Sequence, residues 1–219
     1  MGTNLMSLVQ SGGKFLKLYG DRKMVRTLPY KRRLAYLESH GTEYVDTGVR
    51  LDVSSDIVTV TTTLSAQSAN SKVVWTASWI EANHYTDKIV FHGTNTAIRI
   101  SLFITGGSAT YSPYGIADPG VMINAVADYV NSVVRFNELS YAISKKSRTY
   151  KTIKIFDSTS ADVRVGVFKV NRGGTDIISL IPVMSCDDKP CFYDEVSGQL
   201  FYNQGTGEFT WGEIDSQTT

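Results

Sequence analysis

The chain has 219 residues, the length of one full-sized domain, and its 42% hydrophobic and 11% aromatic residues can build a sizeable core, which excludes an intrinsically disordered chain. No apolar run approaches roughly 18 residues, so no transmembrane helix is predicted. The first twenty residues lack the continuous apolar segment and the small-residue cleavage site of a secretory signal, so none is expected.

The net charge of +1 conceals an asymmetry between the two ends of the chain. Residues 1–33, here called the N-terminal arm, carry one acidic residue, Asp21. Their basic residues are Lys14, Lys17, Arg22, Lys23, Arg26, Lys31, Arg32 and Arg33. The remainder holds 14 basic and 20 acidic residues, so an arm of charge +7 precedes a body of charge −6. This pattern favours docking of the arm to an acidic surface of a protein or nucleic acid, and the alternative is a solvated tail.

After the arm, strand patterns dominate. Alternating polarity, Val and Thr in the segment 56–66 are typical of a half-buried strand. Similar segments follow at 72–80, 88–93, 96–107, 150–157, 161–170 and 176–183. Their spacing of roughly 8–12 residues, with Gly, Asn and Ser in the gaps, predicts a β-sandwich or jelly roll.

The stretch 120–144 is ambiguous. Met122, Val126, Tyr129 and Val133 have near-helical spacing, whereas residues 134–141 alternate in polarity around Asn137-Glu138. We predict strands joined by a tight turn at Asn137-Glu138, with a short helix before them.

The two cysteines, Cys186 and Cys191, are separated by four residues in CDDKPC. No other cysteine is present to complete a zinc site. Either a loop-closing disulfide or two thiols fits this spacing, and thiols are predicted for a protein assembled in a bacterial cytosol.

Two motifs carry a family resemblance. YLESHGTEYVDTGV, residues 36–49, resembles the opening strand of a concanavalin A-like (laminin-G-like) jelly-roll family common in phage and gut-bacterial proteins. Near the other end, Ile181-Pro182, then Tyr193-Asp194-Glu195-Val196, then FYNQGTGEF at 201–209 resemble the closing elements of the same family. The arm is similar to hairpin-like segments attached to some phage members.

The resemblance implies an all-β fold, a two-sheet antiparallel jelly-roll sandwich (concanavalin A-like) preceded by a basic N-terminal arm or small hairpin. The domains would be the arm at 1–33, the jelly roll at 34–212 and a polar tail at 213–219. In the opening motif, Gly41 and Gly48 are expected at turns, and Thr42, Asp46 and Thr47 are expected to hydrogen-bond nearby backbone. We therefore interpret this polar motif as structural rather than catalytic.

Related jelly rolls include glycoside hydrolases, which present two carboxylates to the cleft. The chain lacks the Glu-x-Asp-x-x-Glu run of such enzymes, and the adjacent pairs Asp187-Asp188 and Asp194-Glu195 point to opposite faces if they lie in strands. No nucleophile elbow or phosphate-binding loop is present either. We predict no enzymatic activity.

The acidic residues of the chain also bear on metal binding. Many concanavalin A-like modules bind calcium, and the candidate ligands are Asp118, Asp187, Asp188 and Asp194. No loop has an EF-hand order of ligands, and His40, His84 and His92 lack a metal-ligand spacing. No metal or cofactor is predicted.

Two aromatic pairs are candidates for contact with a glycan or a protein. Trp75 and Trp79 share a strand face, where they form either a stacking platform or part of the core, and the core is favoured. Tyr111 and Tyr114, in the loop ATYSPYGIADPG, are the better candidates for exposed contact.

These observations lead us to expect a non-enzymatic virion protein of a phage, such as a capsid decoration, head fibre or tail component. Its arm would bind an acidic surface of other virion proteins in an oligomeric assembly formed in the host cytoplasm, without nucleic acid. The alternative is a glycan-binding, lectin-like module on a phage or bacterial surface, with a host surface glycan as partner. A glycoside hydrolase is the third candidate.

Overall fold

The computed structural model describes residues 28–66, 68, 70–80, 86–94, 97–104, 109–145 and 147–214, which form β-strands and no helix. None of these residues therefore belongs to a helix able to span a membrane. The strands are β1 (Tyr30–Arg33), β2 (Tyr36–Ser39), β3 (Val45–Arg50), β4 (Asp56–Leu64), β5 (Lys72–Ser78), β6 (Thr86–Gly93), β7 (Ile98–Ile104), β8 (Thr110–Tyr111), β9 (Ile123–Asp128), β10 (Val133–Phe136), β11 (Leu139–Ala142), β12 (Thr152–Ile155), β13 (Val163–Arg172), β14 (Thr175–Ser185), β15 (Pro190–Asp194), β16 (Leu200–Phe201) and β17 (Thr210–Gly212).

The strands form two antiparallel sheets. The larger has the order β11-β10-β9-β4-β13-β14-β15-β16, with β1 paired to β14, β2 to β13, and β17 to β2. The smaller has the order β3-β12-β5-β6-β7-β8. The predicted all-β, two-sheet antiparallel sandwich is confirmed, and its architecture is compatible with a jelly roll.

The core lies between the sheets because alternate residues of their strands point inward. In β13, Val163 and Val165 are fully buried, and a register shift before Phe168 moves the buried positions to Phe168 and Val170. An extra residue of this kind reverses which side chains face the core, so the bulge keeps both halves of a long strand packed.

The stretch 120–144 contains β9, β10 and β11. Ile123, Ala125 and Ala127 are buried at alternate positions, whereas Met122 is exposed. The expected short helix is therefore wrong, because the buried side chains have a period of two. The predicted turn at Asn137-Glu138 is confirmed, and Asn137 has a φ of 50°.

The opening motif crosses from one sheet to the other. It was expected to form a single opening strand, but β2 lies in the larger sheet and β3 in the smaller one. Gly41, with a φ of 96°, lies in the connection, and Gly48, with a φ of 71°, lies within β3. Both glycines adopt the left-handed backbone for which their lack of a Cβ suits them.

The end of the arm belongs to the larger sheet. The C-terminal part of β13 pairs with the N-terminal part of β14, and the N-terminal part of β13 pairs with β2. The C-terminal part of β14, which no longer pairs with β13, pairs with β1. Leu34 N donates to Pro182 O at 2.9 Å, which continues this attachment after β1 ends.

Candidate functional site

The two family-like motifs contact each other directly. The Asn203 side-chain oxygen accepts hydrogen bonds from Tyr44 N at 3.1 Å and Gly205 N at 2.8 Å. Its amide nitrogen donates to Gly207 O at 2.9 Å, and Gln204 N donates to Tyr44 O at 2.9 Å. The C-terminal motif is thus attached to the connection between the sheets.

This contact explains two glycines of the C-terminal motif. A Cβ on Gly205 would lie 1.9 Å from Thr42 O, and one on Gly207 would lie 2.3 Å from a carboxylate oxygen of Glu43. The backbone of Thr42 leaves no room for a Cβ at position 205, so the close approach of the motifs requires glycine there, whereas Gly207, with a φ of 87°, adopts the left-handed backbone that favours glycine.

Glu43 is the polar centre of this contact. Its carboxylate, only 2% exposed, accepts hydrogen bonds from His40 N at 2.7 Å, from the Ser39 hydroxyl and from both the backbone and the hydroxyl of Thr42. Burial alone raises the pKa of Glu43, but the hydrogen bonds together outweigh burial and hold that pKa below its ordinary value.

The other polar groups of the opening motif also have structural partners. Glu38 pairs with Arg164 at 2.9 Å. Asp46 accepts hydrogen bonds from Gly48 N at 2.9 Å and from the Thr152 hydroxyl at 2.7 Å. Thr47 donates to Ile153 O at 2.9 Å. The acidic cluster that suggests acid–base chemistry in the sequence is thus distributed among separate backbone and strand contacts.

The remaining buried carboxylates are likewise engaged within the fold. Asp56 forms a two-point contact with Arg172, at 2.7 and 2.9 Å. Asp194 accepts hydrogen bonds from the backbone of Ser179, Val196 and Ser197 at 2.8–3.1 Å. Within the described part of the chain, no group of three or more His, Cys, Asp or Glu residues is placed to hold a metal ion.

Trp75 and Trp79 are core residues, as the sequence favours. Trp75 is fully buried and Trp79 is 5% exposed, so the pair forms no exposed stacking platform. Trp79 packs edge-on against Tyr150, with ring centroids 6.4 Å apart. The Tyr150 hydroxyl in turn donates to buried Asp87 at 3.0 Å.

Tyr111 and Tyr114 lie on the surface, 39% and 49% exposed. Between them lies Arg99 of β7, whose guanidinium carbon is 4.0 Å from the Tyr111 ring centroid and 4.5 Å from that of Tyr114. Arg99 points to the outer face of the smaller sheet, because its neighbours Ile98 and Ile100 belong to the core. We call Arg99, Tyr111, Tyr114 and the adjacent His92 the tyrosine–arginine site.

His92 completes this site without adding charge at neutral pH. Its ring nitrogens hydrogen-bond the hydroxyls of Ser71 at 2.9 Å and Ser101 at 2.7 Å, and its ring lies 5.4 Å from that of Tyr111. Burial, followed by the charges of Arg99 and Lys88, lowers the pKa of His92. The positive charge of the site therefore comes from Arg99.

Two more cations lie over rings on the outer face of the smaller sheet. Lys88 lies 5.5 Å from the Phe103 ring centroid, and Lys154 lies 4.6 Å from that of Tyr44. These long side chains cover aromatic carbon while leaving a positively charged surface.

The arm is described only from residue 28. Of its predicted partner-binding residues, Lys14, Lys17, Arg22, Lys23 and Arg26 lie outside the described residues. The other three form ion pairs within the chain. These pairs are Lys31–Asp188 at 2.5 Å, Arg32–Glu213 at 2.9 Å and Arg33–Glu195 at 3.9 Å.

A cleft of about 500 Å³ lies between the β14–β15 turn and the C-terminal motif. Its lining includes Asp187, Asp188, Tyr202, Glu208 and Phe209. An adjoining hollow of about 450 Å³ is lined in part by Pro29, Cys186 and Asp187. Pro29 of the arm therefore lies beside the acidic β14–β15 turn.

No disulfide links the two cysteines. Cys186 is exposed in the β14–β15 turn, and Cys191 is buried in β15, where burial raises its pKa to about 12. Cys191 belongs to a second apolar cluster, separate from the main core, formed with Ile181, Val183 and Tyr193.

Sequence reasoning missed Arg99. Its position in TAIRISLFI, between two apolar residues, indicates an outward side chain. Its contact with Tyr111 and Tyr114 depends on the pairing of β7 with β8, which the sequence does not reveal.

In comparisons with known proteins, no family model matches the chain, and no curated protein matches it significantly.

Proposed function

We propose that this chain is a non-enzymatic structural or accessory protein of a phage virion, a concanavalin A-like jelly roll attached to the particle through its N-terminal arm. Capsid decoration, head fibre and tail component are the forms of this role. The motifs at 36–49 and 201–209 support the family part of the proposal, because they resemble phage members of that fold and contact each other as a unit.

The observation that carries attachment through the arm is the anchoring of its last strand. β1 pairs with β14, and Tyr30 packs against Tyr193 with ring centroids 5.0 Å apart. A docking segment joined to its body by sheet hydrogen bonds can hold that body in a defined position, whereas a free linker cannot.

The division of charge along the arm agrees with this role. The three basic residues of β1 face acidic residues of the same chain, and such exposed pairs orient a strand more than they stabilise it. Residues 1–27 retain five basic residues against Asp21, a charge of +4 with which to capture an acidic partner.

Co-assembly tests the proposal. The full chain and a variant lacking residues 2–27 are each produced together with the structural proteins encoded by neighbouring genes, and particles are isolated by sedimentation. We expect the full chain in the particles and the truncated chain in the soluble fraction. A variant lacking residues 215–219 is the matched control and should co-sediment. Incorporation of both truncated chains to the same extent would show that attachment uses the body.

A glycan-binding module is the second candidate, favoured by the exposed rings of Tyr111 and Tyr114. Exposed tyrosine rings bind sugar C–H faces and protein surfaces at a modest cost in conformational entropy.

A further inference from the structure

We infer that the tyrosine–arginine site binds the carboxylate group of an acidic sugar, such as a uronic or sialic acid unit of a glycan. The inference rests on the second candidate function, glycan binding, and is independent of attachment through the arm.

The hydrogen-bonding state of Arg99 supports an anionic ligand. A guanidinium has five N–H donors, and the Nε of Arg99 is buried without a hydrogen-bond partner in the described part of the chain. No acidic side chain of that part lies within ion-pair distance of Arg99. Arg99 is therefore a cation without an ion-pair partner in that part of the chain, and its terminal N–H groups, unlike the buried Nε, can reach a ligand.

The orientation of that cation also suits a carboxylate. The rings of Tyr111 and Tyr114 both contact the guanidinium, which restricts its rotation. A planar guanidinium held in this way matches a carboxylate through two parallel hydrogen bonds, and little conformational entropy remains to be lost on binding.

The surroundings of Arg99 favour a sugar acid over other anions. Both tyrosine rings are exposed, so the site offers apolar surface beside the charge. The C–H face of a sugar ring can cover such a surface. Nucleic acid binding generally uses many basic residues along a backbone, whereas the body of this chain carries a charge of −6. Lys88 lies one strand away and four residues along, so its Cα is roughly 14 Å from that of Arg99 by strand geometry, and the two cations stack on different rings.

The test begins with the full chain on an array of oligosaccharides that contain uronic acids or sialic acids, together with neutral ones. Titration calorimetry then compares the best acidic binder with its methyl ester, which has the same rings and size but no charge. We expect the methyl ester to bind at least about tenfold more weakly, because charge-assisted hydrogen bonds are lost.

Variants connect this loss to the site. Arg99→Gln should weaken binding of the acid by about tenfold or more and leave binding of the methyl ester unchanged, and Arg99→Lys should give an intermediate result. Arg148→Gln is the matched control, since exposed Arg148 also stacks on a ring, that of Trp79, 4.8 Å away, near the other end of β6. Thermal unfolding verifies that each variant is folded.

Four outcomes would overturn the inference. Equal affinity for the acid and its methyl ester would show that the carboxylate is not recognised. Equal losses of affinity in Arg99→Gln and Arg148→Gln would show that binding depends only on net charge. Binding to neutral glycans alone would leave glycan binding standing and refute the acidic ligand. If no glycan binds at all, both this inference and the second candidate function fail, while attachment through the arm is unaffected.

Discussion

The side chain of Asn203 hydrogen-bonds the backbone of Tyr44, 159 residues away in sequence, at 3.1 Å. The bond connects the C-terminal motif to the segment between β2 and β3, where the chain passes from the larger sheet to the smaller one. A backbone N–H at such a crossing has no strand partner on that side, so a side-chain amide from the other end of the domain satisfies it.

We expect Asn203→Ala to lower the free energy of unfolding by about 1–3 kcal/mol, because the half-buried N–H groups of Tyr44 and Gly205 lose their acceptor. Urea denaturation measures this change. Gln204→Ala is the matched control, since exposed Gln204 contributes only its backbone to the same contact, and it should change stability by less than about 0.5 kcal/mol. Equal effects of the two substitutions would contradict the role given to Asn203.

The tryptophans provide a test of the core. Trp75→Ala removes a fully buried ring and should destabilise the fold by about 3–5 kcal/mol. Trp211→Ala removes a ring that is 40% exposed and should cost considerably less. Chemical denaturation measures the free energy of unfolding of both variants. A small loss of stability in Trp75→Ala would contradict the burial of this ring in the core.

The lowered pKa of Glu43 predicts how the stability of the fold depends on pH. Its pKa in the folded state lies below the ordinary value of 4.5, so the ionised carboxylate stabilises the fold above about pH 4.5. That contribution is lost as the pH falls through the folded-state pKa. Glu43→Gln should therefore be less stable than the natural chain at pH 7, and the difference should shrink as the pH falls below about 4.5.

The measurement is the free energy of unfolding at several pH values for the natural chain, Glu43→Gln and the exposed control Glu138→Gln. A difference between the natural chain and Glu43→Gln that stays constant with pH would show that the pKa of Glu43 is the same in the folded and unfolded states, which contradicts stabilisation of the ionised carboxylate by the fold.

The fold was predictable because its patterns are local. Alternation in β4, turn residues such as Asn137, and the short polar residues around Gly41 each indicate their structure within a few positions. The helical spacing from Met122 misled because it does not coincide with the buried face, which only packing against β4 reveals.

The candidate site was predictable only in part. Tyr111 and Tyr114 lie in a polar loop rich in Gly and Pro, which favours exposure. Arg99 lies two strand positions from Ser101, which pairs with Tyr111 on the next strand, and no short-range pattern encodes that register. The sequence also does not decide whether the tryptophans are buried, because residues on the core face and on the outer face of a strand have the same spacing.

The anchoring of β1 leads to the last prediction, in which Cys191 serves as the reporter. A variant lacking residues 2–33 differs from one lacking residues 2–27 by the loss of β1, and with it of the Tyr30 ring that packs against Tyr193. Cys191 is buried beside Tyr193 with its pKa raised to about 12, so a thiol reagent should label exposed Cys186 rapidly and Cys191 slowly in the natural chain.

We expect Cys191 to be labelled at least several-fold faster in the variant lacking residues 2–33 than in the one lacking residues 2–27, because the second apolar cluster loses its cover and its pairing strand. Labelling of Cys186 is the internal control and should be similar in both. The shorter variant should also unfold at lower urea concentration while remaining a folded sandwich, since the main core does not include β1. If Cys191 reacts equally slowly in both variants, β1 is not anchored to the sheet, and attachment through the arm loses the observation that supports it.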